Sequence, residues 1–149
     1  MYWKDIKDNL LDLGFEETDS YEEYKSIIIN ATNRAIRILY STVIPQIEHY
    51  LRVYEKWGHE ENITDIYGET HTEWKFPELE KITKETKDEE VLSVPDVLEP
   101  LVQLLAAHYI WLDDDLTKAT IYWNEYDDLK DQIMMMCRTV RGAVIEGGW

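Results

Sequence analysis

The stretch VPDVLEPLVQLLAAHYIWLDDDLTKATIYWNEYDDLKDQIMMM, residues 94–136, decides the fold. Within it Leu98, Leu101, Val102, Leu105, Tyr109 and Leu112 recur at three- and four-residue spacing, the signature of one helical face. Asp96 supplies a carboxylate that can accept an orphan N–H of the first turn, so a helix is expected to open there. Ala106 and Ala107 leave room for a neighbour to come close. Asp113, Asp114 and Asp115 then stop this helix and offer an N-cap to the next. The stripe of that next helix reads Ala119, Tyr122, Trp123, Tyr126, Leu129, Ile133 and Met136. Two antiparallel helices joined by a tight acidic turn are expected.

Toward the N-terminus, Trp3, Ile6, Leu10 and Leu13 recur at helical spacing and Gly14 stands in the C-cap position, which predicts a short amphipathic helix. Ser20 with Glu23 fits a capping box. Behind it Tyr24, Ile27, Ile28, Ala31, Ala35, Ile38, Leu39 and Thr42 form one continuous face, giving a second helix that ends ahead of Pro45. From Pro45 to Trp57 the pattern fits either a helix, through Ile47, Leu51 and Tyr54, or the alternation of a strand, and the strand is preferred. Residues 58–92 carry short β-prone pieces, Ile66-Tyr67 and Trp74-Lys75-Phe76, between polar runs. They read as a hairpin or loop arm projecting from a helical body. The expected fold is therefore mainly α: an antiparallel helical bundle with a small inserted β-hairpin or loop arm over residues 45–92, in one domain spanning 1–149. Residues 138–149 change character, with Val140, Val144, Ile145 and Trp149 among Gly142, Gly147 and Gly148. Such a segment is expected to be a poor helix and to serve as a C-terminal interaction tail in which Arg138 and Arg141 meet acidic partner surface.

Charge narrows the function. Lys and Arg total 15 against 31 Asp and Glu, a formal charge of −16 at pH 7, and such a surface repels phosphate backbones and anionic lipid. Cys137 is the single cysteine, so an intramolecular disulfide is excluded. With no signal-like segment and no long apolar run, a soluble cytosolic or virion protein is expected.

Catalytic chemistry finds little to work with. His49, His59, His71 and His108 nowhere stand four apart, and His59-Glu60-Glu61-Asn62-Ile63 lacks the second histidine of a zinc protease motif. Consecutive carboxylates at 113–115 point apart and do not wrap a cation as alternating ones do. All-α nucleoside triphosphate pyrophosphatases pair E-x-x-E with E-x-x-D. Here Glu125-x-x-Asp128 stands on a helix, but only Glu16-x-x-Asp19 and Glu85-x-x-Asp88 resemble a partner, both in expected loops. No catalytic residue, cofactor or metal ligand is assigned. Ten Tyr and six Trp against two Phe are more telling, because rings with a polar edge suit surfaces that a partner covers. Tyr2, Trp3, Trp57, Trp74 and Trp149 lie near ends or in the arm, where a single copy has difficulty covering them. Trp57, Trp74, Arg138, Val140, Arg141, Val144, Ile145 and Trp149 are the candidate partner-binding residues.

The segment from Leu92 to Tyr126 resembles the head-tail connector adaptors, or head completion proteins, of tailed bacteriophages. The resemblance rests on a Pro95-Asp96 opening, a helix rich in Leu, Ala and Tyr, a turn with Asp, and Ala119, Tyr122 or Trp123, and Tyr126 on the next helix. The run Ile29-Asn-Ala-Thr-Asn-Arg-Ala-Ile-Arg is similar to their first long helix, and together the likeness covers about half the chain. It implies a structural protein without catalysis, assembling as a ring, usually dodecameric, beneath the portal protein. A stopper or tail-completion protein would follow it, and DNA would pass through without specific binding. It also implies residence at the virion's head-tail junction, after assembly from the host cytoplasm, with no membrane involved. An acidic wall agrees with this, since it would let DNA slide. The competing reading is an acidic DNA mimic that inhibits a DNA-binding protein, with the magnesium-dependent all-α pyrophosphatase a third behind it. On either of the first two readings the chain leaves duplex DNA unshifted in a gel assay at micromolar protein and moderate salt. A shift with steep salt dependence would contradict the charge argument.

Overall fold

Residues 100–112 contain no Asp, Glu, Lys or Arg, and a helix without a charged face must be covered over most of its surface. The computed structural model, which describes residues 1–14 and 21–147 with the side chains of residues 14, 21, 23 and 139–147 excepted, is built this way. In chain order it contains α1 (Trp3–Gly14), α2 (Tyr21–Thr42), α3 (Glu48–Val53), β1 (His59–Thr64), β2 (Thr70–Lys75), α4 (Glu99–Trp111) and α5 (Leu116–Gly147). The fold is mainly α with one small antiparallel hairpin, as the periodicity predicts. Helix α4 packs against α1, α2 and α5, and Leu101, Val102, Leu105, Ala106 and Ala107 are wholly buried. The C-terminal end of α1 is tied to the same centre: Leu13 O accepts from Trp111 Nε1 at 3.2 Å and from Tyr122 Oη at 2.9 Å. Two side chains from α4 and α5 thus satisfy a carbonyl that the end of α1 leaves open.

The acidic turn behaves as expected. Asp115 caps α5, its Oδ1 accepting from Lys118 N at 3.1 Å and its carbonyl from Ala119 N at 3.0 Å. Asp96 does not cap α4. A 3₁₀ turn, Asp96–Leu98, precedes that helix, and the Asp96 carboxylate instead lies 3.6 Å from the amino terminus of Met1. The cause is Pro100: a helix begun at Asp96 would carry it into the interior, where it lacks an N–H and clashes with a carbonyl, whereas in the first turn of α4 it is harmless. On α5 the buried stripe runs through Ala119, Tyr126, Met134 and Cys137. Trp123 and Met136, expected on that stripe, are 40% and 44% exposed. Position 137 continues the helical row from 126 and 133, and position 136 falls about 100° away from it.

Residues 45–57 are not a strand. They form a 3₁₀ turn, Ile44–Gln46, and the short helix α3. Alternation would have turned Val53 to the same side as buried Ile47 and Leu51, yet Val53 is 40% exposed, while Tyr50 and Tyr54 stack one helical turn apart at 5.3 Å. The arm is also shorter than expected. Only β1 and β2 form the hairpin, in register from His59 opposite Lys75 to Thr64 opposite Thr70. Ile66-Tyr67 is the turn and not a strand, because Asp65 Oδ1 captures Tyr67 N at 2.8 Å and Glu69 N at 3.0 Å and Gly68 takes φ 79°.

Residues 76–95 return along the body as a strap. Asn33 on α2 holds Ile82 at both ends of its peptide, donating to its carbonyl at 2.8 Å and accepting its N–H at 2.9 Å, and Tyr40 Oη donates to Ser93 O. The N-terminus pairs with the end of the strap through Tyr2 and Val91. Trp3, expected at a partner surface, is therefore 1% exposed and belongs to the core. The backbone of α5 continues through Gly147, so residues 138–147 are helical and not the irregular tail expected. A mid-helix glycine costs about 1 kcal/mol against alanine, too little to end a helix of 32 residues.

Leu105 is the most direct test of this core. Leu105→Ala removes a wholly buried side chain and should cost about 2–5 kcal/mol, read as a lower thermal midpoint. An unchanged midpoint would contradict the placement of α4.

Candidate interaction surfaces

The sequence-derived candidates separate into three groups. Trp57 and Trp74 are half-buried and anchor the base of the hairpin to the body. The Trp57 ring meets Tyr40 edge-on at 5.7 Å and Phe76 at 5.7 Å, and Trp74 Nε1 donates to Trp57 O at 3.0 Å. Gly58, at φ 117°, lets the two tryptophans close on each other. A Cβ there would collide with Lys75 O and lie 2.8 Å from Trp74 Nε1. Arg138 is exposed on α5 and donates from Nη2 to Gln46 Oε1, and Gln46 shares a surface groove with Trp74 and Phe76. The side chains of Val140, Arg141, Val144 and Ile145, and all of Trp149, lie outside the described residues. So does the Ser20 and Glu23 capping pair.

The hairpin turn holds the surface that the candidates missed. Ile66 and Tyr67 are 92% and 84% exposed, the barest large apolar side chains among the described residues. Their loop is fixed from below by Asp65, whose N–H also donates to Glu69 O at 2.9 Å. The strands beneath are polar. Glu61 faces Glu73 across the ladder, a like-charge pair that would loosen it, and each is met by a histidine on its own strand. His59 Nε2 lies 2.9 Å from Glu61 Oε1, and His71 Nε2 lies 2.7 Å from Glu73 Oε1. The hydrogen bond from His59, aided by Lys75, holds the Glu61 carboxyl below the usual carboxylate range.

Beyond Glu22 and Glu23 in its first turn, helix α2 carries the opposite charge. From Tyr24 to Ile47 there is no acid, while Lys25, Arg34 and Arg37 are basic. The signal was available in the sequence, but the whole-chain charge hides it beneath the many acids elsewhere. Arg34 and Arg37 are exposed, and among the described residues neither makes an ion pair. The Arg34 guanidinium lies 3.9 Å over the Tyr109 ring. These two, with Ile27, Asn30 and Ala31, line an open surface groove of about 240 Å³ between α2 and α4. That is below the range of sites that enclose drug-sized ligands, so the groove can take a few side chains from a surface laid against it and not an enclosed small molecule.

Elsewhere the polar groups are structural. His108 donates from Nδ1 to Ala119 O at 2.7 Å, pinning α4 to α5. Glu55 accepts from Val97 N at 2.8 Å, and its Oε2 is buried without a hydrogen-bond partner among the described residues. Burial raises its carboxyl above the ordinary range against the pull of that N–H, and burial first, then Glu55, pushes the Cys137 thiol up to about 11. A thiol so far from its thiolate is a poor nucleophile. Glu125 and Asp128 are both exposed on α5. Of the two motifs resembling a partner for them, Glu85 and Asp88 lie in the strap, where Asp88 pairs with Lys7, and residues 16–19 lie outside the described ones. Among the described residues no group of three His, Cys, Asp or Glu side chains is arranged to hold a metal ion. No described helix is long and apolar enough to cross a membrane. Comparison with family models, curated proteins and solved structures gives no match.

The glycine at the hairpin base provides a test of how the tip is held. Gly58→Ala should speed hydrogen exchange across residues 59–75 while α4 and α5 stay protected, because the Trp57–Trp74 closure is lost. Unchanged protection of the strands would refute that closure as the anchor.

Proposed function

We propose that the chain is a structural adaptor of the head-tail junction of a tailed phage or prophage, assembling as a ring below the portal protein through which DNA passes. The observation that carries this reading is the ordered hairpin that ends on Ile66 and Tyr67, bare in a single copy. Two large apolar side chains on a fixed turn are costly to leave in water and are suited to a protein partner. Two further features support it. The helices on which the resemblance to connector adaptors rests are α2, α4 and α5, which make up the body behind that arm. A charge of −16 per copy suits a passage for DNA, since a wall rich in carboxylates does not retain phosphates. The same charge makes copies repel, so contacts with neighbours, the portal and a stopper or tail-completion protein need apolar anchors of this kind.

Electron microscopy of the purified chain, alone and with the portal protein of the same phage or prophage, tests the reading. A closed ring seated coaxially on the portal, with a central opening, is the expected result. A chain that stays as single copies beside the portal and instead inhibits a DNA-binding enzyme would establish the DNA-mimic reading.

A further inference from the structure

We infer that copies of this chain join head to tail, with the Ile66–Tyr67 hairpin tip of one copy seated in the α2–α4 groove of the next. Four observations meet in this pairing. The tip is apolar, fixed by Asp65 and uncovered in its own copy. The groove has an apolar floor at Ile27 and Ala31, and Ile27 is 48% exposed although it is a large aliphatic residue on a helix otherwise packed into the core. The charges are complementary: residues 59–75 carry five acids against Lys75 alone, and residues 24–47 carry three bases and no acid. Finally, the Arg34 guanidinium lies 3.9 Å over the Tyr109 ring and its side chain is exposed, so it can receive a second ring, for which Tyr67 is the candidate, while Asp65 and Glu69 flank Tyr67 in sequence and Glu69 can meet Arg34 or Arg37.

Tip and groove are different surfaces of one chain, so the contact is heterologous. Repetition of it closes a ring when the rotation between copies allows and otherwise extends a filament. A tip of two side chains covers far less than the roughly 1,200–2,000 Å² of a stable pairwise interface, so the contact is weak between two free copies. In a closed ring every copy uses both surfaces, and releasing a copy requires two contacts to break. Which surfaces meet is independent of the phage reading, while the closure of the contact into a ring rests on that reading.

The test uses the full chain with photoreactive p-benzoylphenylalanine in place of Tyr67, mixed with a heavy-isotope copy that carries no probe. Irradiation should give crosslinks between copies that map to residues 27–34 or to Tyr109 of the unprobed copy. Arg34→Glu in the unprobed copy should lower the yield about tenfold, and Glu69→Lys in the probe copy, which leaves the Asp65 turn intact, should restore a good part of it, since reversing both sides restores attraction. Crosslinks that map to another face, or a yield indifferent to Arg34→Glu, would overturn the pairing. Rings that persist on the portal with Ile66→Ser and Tyr67→Ser together would also overturn it, while leaving the adaptor reading intact. Mapped, charge-dependent crosslinks without any ring on the portal would keep this pairing and remove the adaptor reading.

Discussion

The burial of most of α4 is the constraint from which the rest of the structure follows. A helix with no charged residue between Pro100 and Leu112 has no charged face to offer water, so it lies among α1, α2 and α5, and each of these neighbours commits one face to it. The alanines at 106 and 107, wholly buried, let those neighbours come close. The polar edges of the aromatic residues then find partners at the seams: Trp111 and Tyr122 on the carbonyl of Leu13, and Tyr40 on that of Ser93. Burial pushes the hydroxyls of Tyr40 and Tyr126 up to about 12, so they remain neutral donors and acceptors at any physiological pH. The richness in Tyr and Trp, which in the sequence suggests partner surfaces, is in good part the stitching of this layered core.

What the sequence made legible was what periodicity encodes. Helices α1, α2, α4 and α5 repeat their apolar residues over several turns, and each was readable with its approximate limits except the C-terminal end of α5, which runs on to Gly147 through the segment expected to be a tail. Helix α3 was not, because over six residues a helix and a strand place Ile47 and Leu51 equally well, and only the exposure of Val53 separates them. The strap at 76–95 was hidden for another reason. It has no repeating pattern, and it is fixed by contacts such as Asn33 with Ile82, 49 residues apart, which no local window contains. Likewise Asp96 is a good cap by residue type, and Pro100 four positions on overrules it.

The candidate surface was half legible for similar physical reasons. Trp57 and Trp74 were singled out as large rings in a polar arm, but a large ring near a hairpin base is as useful for fastening that base as for meeting a partner. Ile66 and Tyr67 were read as β-prone by type. It is the Asp65 side chain, by capturing two backbone N–H groups, that turns them into the exposed end of a loop. Their importance comes from where the backbone puts them. The charge contrast between α2 and the hairpin is visible in the letters, yet it acquires meaning only when folding gives each its own surface.

The hairpin itself shows why both of its ends are reinforced. Two short polar strands with Glu61 opposite Glu73 are marginal in water, so on their own they would sample many conformations. At the base, Gly58 allows Trp74 to bond to Trp57, and Trp57 is seated on Tyr40 of α2. At the tip, Asp65 and Gly68 fix the turn. Along the strands His59 and His71 offset the carboxylate repulsion, and Lys75 reaches Glu61 at 3.9 Å. Ordering an arm of this length costs conformational entropy, which these contacts at its base, strands and tip offset. Spent in advance, that entropy is not charged again when the tip binds, so two apolar side chains on a stiff support can hold a partner that the same two on a loose loop could not.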